Sequence, residues 1–195
     1  MIDALIPTGV CWHCDEAQAD QNYWICKGCW VSVRRVESQA SSAQTTSLYR
    51  YEGAVETLLT RAKHPLEPAV YAMLLDTDFS MPRDAVYIPV PTPWHRRVRR
   101  RGCQTSCIAQ LLVKRFGGQI VHALKRSHHH RRQASLDGES RRRLPSNAFK
   151  LRRSVSEYEH LVLVDDVMTT GTTLERAQDV LGVESIQRFV VGHVF

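Results

Sequence analysis

This sequence has no long apolar run. In 195 residues no stretch approaches the ~20 apolar residues that a membrane-spanning helix requires, so no membrane insertion is expected. The opening residues, Met1 to Gly9, have no basic start and no apolar segment of signal-peptide length, which points to a cytoplasmic protein. In that reducing compartment structural disulfides are not expected. No repeat or heptad runs through the chain, which excludes solenoids and coiled coils. No Gly-Lys-Ser/Thr closes a glycine-rich loop, so a Walker A phosphate loop is excluded. What remains, 43% hydrophobic and 24% charged residues, is an ordinary globular composition. The length suits one domain plus a small module.

Acid is scarce in one long segment. Between His95 and Arg143 fourteen Lys and Arg stand against two acids, Asp137 and Glu139. That segment carries +12 in a chain whose total is +6, so the rest carries −6. An acidic, nucleic-acid-avoiding protein is excluded. Arginine suits bidentate phosphate contacts, and Arg96, Arg97, Arg99 and Arg100 form the densest group. Aromatic residues for base stacking are thin there: Trp94, Phe116 and Phe149. A solvated helix face is the plainer reading of the same charges.

Six cysteines in a reducing compartment call for another explanation. Four form two pairs, Cys11-x-x-Cys14 and Cys26-x-x-Cys29, with eleven residues between the pairs. Each Cys-x-x-Cys turn aims two sulfurs at a common centre, and two such turns close the tetrahedron of a structural Zn²⁺ site. A segment of this size has no adequate core, so metal binding would supply on the order of 10–16 kcal/mol of folding free energy. Unligated buried thiols and a redox pair are the competing readings. Trp12, Trp24 and Trp30 are expected to wrap the site. Cys103 and Cys107 read as free buried thiols on one helix face.

Residues 37–47 are small, polar and aperiodic, as a linker is. The chain therefore divides into a zinc-binding module with its linker, 1–44, and a main domain, 45–195. In that domain apolar strands are predicted at Leu48–Tyr51, Ala85–Val90, Gln119–Leu124, His160–Asp165 and Ile186–Val194. Helices are predicted at Ala54–Lys63, Val70–Leu75, Cys103–Phe116 and Thr172–Leu181. Lys125–Asn147 shows no periodicity and reads as a long mobile loop. Alternating β and α with continuously apolar strands predicts a parallel sheet covered by helices on both faces.

The segment Leu161-Val162-Leu163-Val164-Asp165-Asp166-Val167-Met168-Thr169-Thr170-Gly171-Thr172-Thr173 carries the most chemistry. A buried strand runs into two acids, and a Thr/Gly turn then opens a helix. Ligands bind beyond the carboxyl ends of strands in open α/β sheets. Thr169 to Thr173 offer backbone N–H groups, hydroxyls and a helix N-terminus, an anion cradle suited to phosphate. Asp165 and Asp166 suit vicinal sugar hydroxyls, or a Mg²⁺ carrying a diphosphate. Together these describe a phosphorylated ribose.

Residues 161–173 resemble the PRPP-binding signature of type I phosphoribosyltransferases. The whole chain, from about residue 8 to 192, resembles the ComF/GntX family, named for competence and DNA uptake in bacteria. Further matches are the double Cys-x-x-Cys, Tyr51-x-Gly53 with a helix ending in Lys63, Ile88-Pro89-Val90-Pro91, His95-Arg96, Arg99-x-Arg101-Gly102, and Gln133-x-x-Leu136 followed by Arg141 and Ala148-Phe149. Where that family usually has Phe-Asn-Gln, this chain has Cys103, Gln104 and Thr105, and Leu144 stands where an Asn is usual. The resemblance implies a type I phosphoribosyltransferase-like α/β fold behind a zinc knuckle or ribbon. It implies that Asp165 and Asp166 contact ribose hydroxyls, that Val167 to Thr173 complete the PRPP loop, and that Mg²⁺ accompanies PRPP. Lys63, Arg101 and one or two of Arg126–Arg132 would then serve the leaving pyrophosphate, beside Asp165 and Asp166 in a catalytic role.

Two functions are compatible with these residues. One is a phosphoribosyltransferase with an unassigned acceptor. The other is a competence protein that handles single-stranded DNA or docks a DNA-uptake helicase or DNA-processing protein, with PRPP as a sensed ligand. Charge placement and a shielded site suffice for the first, so the absence of an evident Ser/His/Asp arrangement does not oppose it.

Overall fold

A computed structural model describes residues 9–19, 24–36, 44–61, 67–93, 103–127 and 147–195. After a short helix α1 (Lys27–Val31), strand β1 (Thr45–Arg50) leads through α2 (Gly53–Arg61) and α3 (Glu67–Leu75) to β2 (Val86–Pro89). Helix α4 (Gln104–Phe116) connects to β3 (Gln119–Ile120), and β4 (Leu124–Arg126) pairs with β5 (Phe149–Leu151). Strand β6 (Leu161–Met168), helix α5 (Thr172–Leu181) and strand β7 (Gln187–His193) complete the described chain.

The main sheet has five parallel strands in the order β1-β7-β6-β2-β3. Strand β6, with Leu161 to Val164 fully or nearly buried, lies at its centre. Side chains alternate across it. Tyr87, Val162, Val164, Phe189 and Val191 pack with Leu58, Leu59, Met73, Leu74, Ile108 and Leu112 of α2, α3 and α4. Val86, Ile88, Leu161, Leu163 and Val190 pack with Leu174, Ala177 and Leu181 of α5 and with Leu124 and Phe149 of β4 and β5. Apolar residues on both faces explain why these strands read as continuous runs rather than alternating ones.

Several elements depart from the sequence-based expectation, and helix α3 starts at Glu67 rather than Val70. Strand β1 starts at Thr45, not Leu48, because Thr45 and Ser47 pair with Arg188 and Val190 of β7 and are buried there. The strand expected over Gln119–Leu124 is two pieces. Only Gln119 and Ile120 pair with β2, whereas Leu124 to Arg126 turn away and pair antiparallel with Phe149 to Leu151. The segment expected as loop from Lys125 therefore begins as strand. Strand β6 runs to Met168, beyond the expected end at Asp165, because Val167 and Met168 pair with Gly192 and His193. The remainder of the expected loop, residues 128–146, lies outside the described residues.

The N-terminal module shares the main core. Cys11, Trp24 and Ile25 are buried in the same cluster as α2, α3 and α4, and Trp12 and Trp30 pack against it. Residues 34–36 bridge antiparallel to β1 (Arg35 to Tyr49), which covers the outer edge of that strand.

Gly118 sits where a side chain cannot. It has φ +85°, and a Cβ would lie 2.2 Å from the Ala85 carbonyl oxygen. Gly118→Ala is expected to lower stability by more than ~1 kcal/mol, seen as a lower midpoint in urea with an unchanged slope. An unchanged midpoint would show that the α4–β3 turn is not held this tightly.

Candidate functional site

The connections fix where a ligand can enter. From β2 the chain crosses by α4 to β3 on one side, and from β6 it crosses by α5 to β7 on the other. Strands β2 and β6 are neighbours, with Pro89 opposite Val164. The order thus reverses between them, and the crevice beyond their carboxyl ends is the switch point at which such sheets bind ligands. Val90 and Pro91 follow β2 there, and Asp165 to Met168 complete β6.

Asp165 is buried, 8% exposed, and Asp166 is half-buried. The Asp166 N–H donates to Asp165 Oδ1 at 2.9 Å, and the Val167 N–H donates to Asp166 Oδ1 at 3.0 Å. Burial pushes the Asp165 carboxyl well above its ordinary value, and the charge and hydrogen bond of the Asp166 carboxyl add to the effect. The Asp166 N–H and the positive charge of Arg126 oppose this and do not cancel it. Two adjacent carboxyls held this way are costly for the protein alone. They favour a ligand that brings hydroxyl donors or a cation.

The turn after β6 places the anion-binding groups beside them. Gly171 precedes α5 in the left-handed region, φ 78°, and no side chain caps the helix. A Cβ on Gly171 would meet only ordinary contacts with Glu175 and Met168. Within the protein, then, it is the positive φ of this turn that calls for glycine. The first N–H groups of an α-helix have no intrahelical acceptor, and with the helix dipole they favour an anion. Thr169 and Thr170 are exposed, Thr172 and Thr173 half-buried, and the Thr170 and Thr172 hydroxyls lie 2.9 Å apart.

Two groups from elsewhere in the chain line the same crevice. Arg126 of β4 stands over the Phe149 ring at 5.2 Å, donates to the Pro91 carbonyl at 3.4 Å, and acts electrostatically on Asp165. The N-terminus of α4 is tied to the end of β2 by the Thr105 hydroxyl, which donates to the Val90 carbonyl at 2.8 Å. Cys103 caps α4 through its backbone and is half-buried, so it lies neither inside the helix nor fully buried as expected, and Cys107 is likewise half-buried. Burial pushes the Cys103 thiol up, but hydrogen bonds with Ser106, Thr105 and Thr92 outweigh this and bring it to about 7. Sequence pointed to Arg126 only as one of a run of cations. Its pairing with Phe149 follows from the β4–β5 ladder, for which the sequence shows no periodic signal. Lys63, Arg96, Arg97, Arg99, Arg100 and Arg101 lie outside the described residues.

The cysteine tetrad is brought together as its spacing requires. The sulfurs of Cys11, Cys14, Cys26 and Cys29 all lie within 4.8 Å of one another, with Cys14 and Cys26 at 4.0 Å. A tetrahedral site with Zn–S of about 2.3 Å separates its sulfurs by about 3.8 Å, so the four fit a metal ion and are consistent with structural zinc. Backbone N–H groups of His13 and Cys29 donate to Cys11 Sγ and Cys26 Sγ, each at 3.4 Å, as thiolate ligands in zinc knuckles require. Cys11 is lowered to about 6: burial opposes this, but hydrogen bonds from Cys14, Cys26 and His13 prevail. His13 is not a fifth candidate ligand here, since its Nδ1 lies 3.0 Å from the Thr57 hydroxyl of α2. The Trp12 and Trp24 rings pack together at 4.4 Å between centroids, tilted by 44°, beside the tetrad.

No family model matches the chain. Competence protein F of Haemophilus influenzae is 38% identical over 106 residues, which are 51% of this chain and 46% of that protein. DNA utilization protein YhgH of Salmonella typhi is 27% identical over 89% of this chain and 90% of its own length. Competence protein ComFC of Bacillus subtilis is 25% identical over 78% of this chain and 64% of its own length. The chain is similar to these competence and DNA-utilization proteins. The chain spans about half the length of the Haemophilus relative that it matches. Among the described residues no helix is long and apolar enough to cross a membrane.

Proposed function

We propose that this chain binds PRPP with Mg²⁺ at the β6–α5 turn and serves competence or DNA utilization, the roles that its relatives' names give them. The observation that carries the binding reading is the buried Asp165–Asp166 pair at the switch point, next to an uncapped helix N-terminus. In this reading the two carboxylates accept from the ribose 2- and 3-hydroxyls. Thr169 to Thr173 and the first N–H groups of α5 hold the 5-phosphate. Mg²⁺, bound through the diphosphate, would neutralise charge on the leaving pyrophosphate. Arg126, held by Phe149 and Pro91, supplies a fixed positive charge beside Asp165, and Lys63 and Arg101 are further cations for the same diphosphate. These parts suit phosphoribosyl transfer, in which the protein places charges and excludes water rather than forming a covalent bond. The acceptor then takes the space beside C1 of the ribose.

Titration calorimetry of the full chain with PRPP and MgCl₂ tests the binding reading. Saturable binding with one PRPP per chain is expected, competed by ribose 5-phosphate and not by free ribose. No heat with PRPP and Mg²⁺ overturns it. A second reading makes PRPP a sensed ligand of a DNA-handling protein, and the relatives' names favour it. Pyrophosphate release in the presence of candidate bases separates transfer from sensing.

A further inference from the structure

Two buried polar side chains at the start of α4 join three elements. Gln104 is 6% exposed and Thr105 1%. The Gln104 Nε2 donates to the Leu59 carbonyl at 3.0 Å. Helix α2 ends at Arg61, so that carbonyl has no donor within the helix. The Thr105 hydroxyl donates to the Val90 carbonyl at the end of β2, and Thr92 Oγ1 lies 3.6 Å from Cys103 Sγ. The last turn of α2, the end of β2 and the first turn of α4 are thus tied through two consecutive residues.

Stability alone does not account for Gln104. Its Nε2 satisfies one carbonyl, but its own Oε1 is buried and has no partner among the described residues. One unpaired oxygen replaces another, and a leucine of similar volume would bury more apolar surface in the same space. The amide is therefore explained by the link it makes. Lys63 lies two residues past the end of α2, and Arg101 three residues before the start of α4. Both were assigned above to the diphosphate of PRPP.

We infer that Gln104 is a positioning residue for the diphosphate end of PRPP, because it fixes the end of α2 against the start of α4. The inference rests on the PRPP reading and adds a residue, outside the β6–α5 segment, that favours PRPP over ribose 5-phosphate. In that reading the 5-phosphate lies against α5, and the diphosphate on C1 extends to the β2–α4 side of the crevice. Groups that meet a ligand productively are held to within ~0.5 Å of their places. Releasing α2 from α4 should therefore cost diphosphate contacts. The ribose and 5-phosphate contacts come from β6 and α5, to which Gln104 makes no hydrogen bond.

Titration calorimetry of the full chain in MgCl₂, with PRPP and separately with ribose 5-phosphate, tests this. Wild type should bind PRPP more tightly than ribose 5-phosphate. Gln104→Leu should weaken PRPP about tenfold or more, the worth of one hydrogen bond to a charged group, and leave ribose 5-phosphate within about twofold. It should melt within about 4 °C of wild type. Gln104→Met, which keeps an unbranched side chain, should show the same split. The inference fails if both variants bind PRPP as wild type does, or if they lose ribose 5-phosphate in equal measure. It fails if both melt more than about 4 °C lower, since the glutamine is then structural, and if wild type binds the two ligands equally. Wild type that binds neither ligand overturns the PRPP reading itself, and the inference with it.

Discussion

Asp165→Asn combined with Asp166→Asn is expected to abolish PRPP binding while leaving the protein folded. Each hydrogen bond between a carboxylate and a ligand hydroxyl contributes about 1.5–3 kcal/mol, so losing two should weaken binding at least ~100-fold. Calorimetry with PRPP and Mg²⁺ reads this directly. The fold should not suffer, because Asp165 is buried and its charged form is disfavoured there. An asparagine of the same shape removes that penalty. The pH dependence separates this account from simple damage. A carboxyl raised in the folded state binds its proton more tightly there than in the unfolded chain. Without ligand, the wild type should therefore lose stability as pH rises from near 3.8, the ordinary aspartate value, through the raised folded value. Asp165→Asn should flatten that decline, and thermal melts across pH measure it. Retained PRPP binding in the double variant would remove the carboxylates from the site.

Stripping the metal is expected to affect the whole domain rather than the N-terminal module alone. Cys11, Trp24 and Ile25 are part of the core that also holds α2, α3 and α4. Zinc-peptide binding is worth on the order of 10–16 kcal/mol, as large as the total stability of an ordinary domain, about 5–15 kcal/mol. For a chain of this size 1 kcal/mol shifts the melting temperature by about 2–4 °C. Even a third of the zinc contribution therefore predicts a fall of ~10 °C or more with a strong chelator, and the same for Cys11→Ser. Metal analysis and thermal melts together check this. His13→Ala should keep the metal and cost only ~1 kcal/mol, the worth of one hydrogen bond to Thr57. A melting temperature indifferent to both chelator and Cys11→Ser would show that the module folds without metal.

The two candidate centres differ in how they are built. The groups proposed to hold ribose and phosphate come in one contiguous segment, where strand, turn and helix follow one another. The tetrad comes from two short turns that must find each other across residues 15–25, and a bound metal would supply the reason for them to meet. Both were legible because local spacing alone sets the relative placement of their parts. Strand ends were less legible. Asp165 and Asp166 look terminal in a list of apolar residues, yet pairing with β7 carries β6 two residues past them.

By itself, then, the sequence determined the alternating α/β class, the four-sulfur module, and the acidic pair leading into a Thr/Gly turn. These are properties of residue type at short spacing, and the periods of strand and helix report them directly. Tertiary structure alone decided that Arg126 stands beside Asp165 on a Phe149 ring, that α4 and α5 begin on either side of one crevice, and that Lys125 faces Lys150. Residues 127–148 separate the two short strands responsible. Three-residue strands have no periodicity to read, and bringing together two strands so far apart in the chain depends on what both bury against the sheet rather than on either one's own sequence.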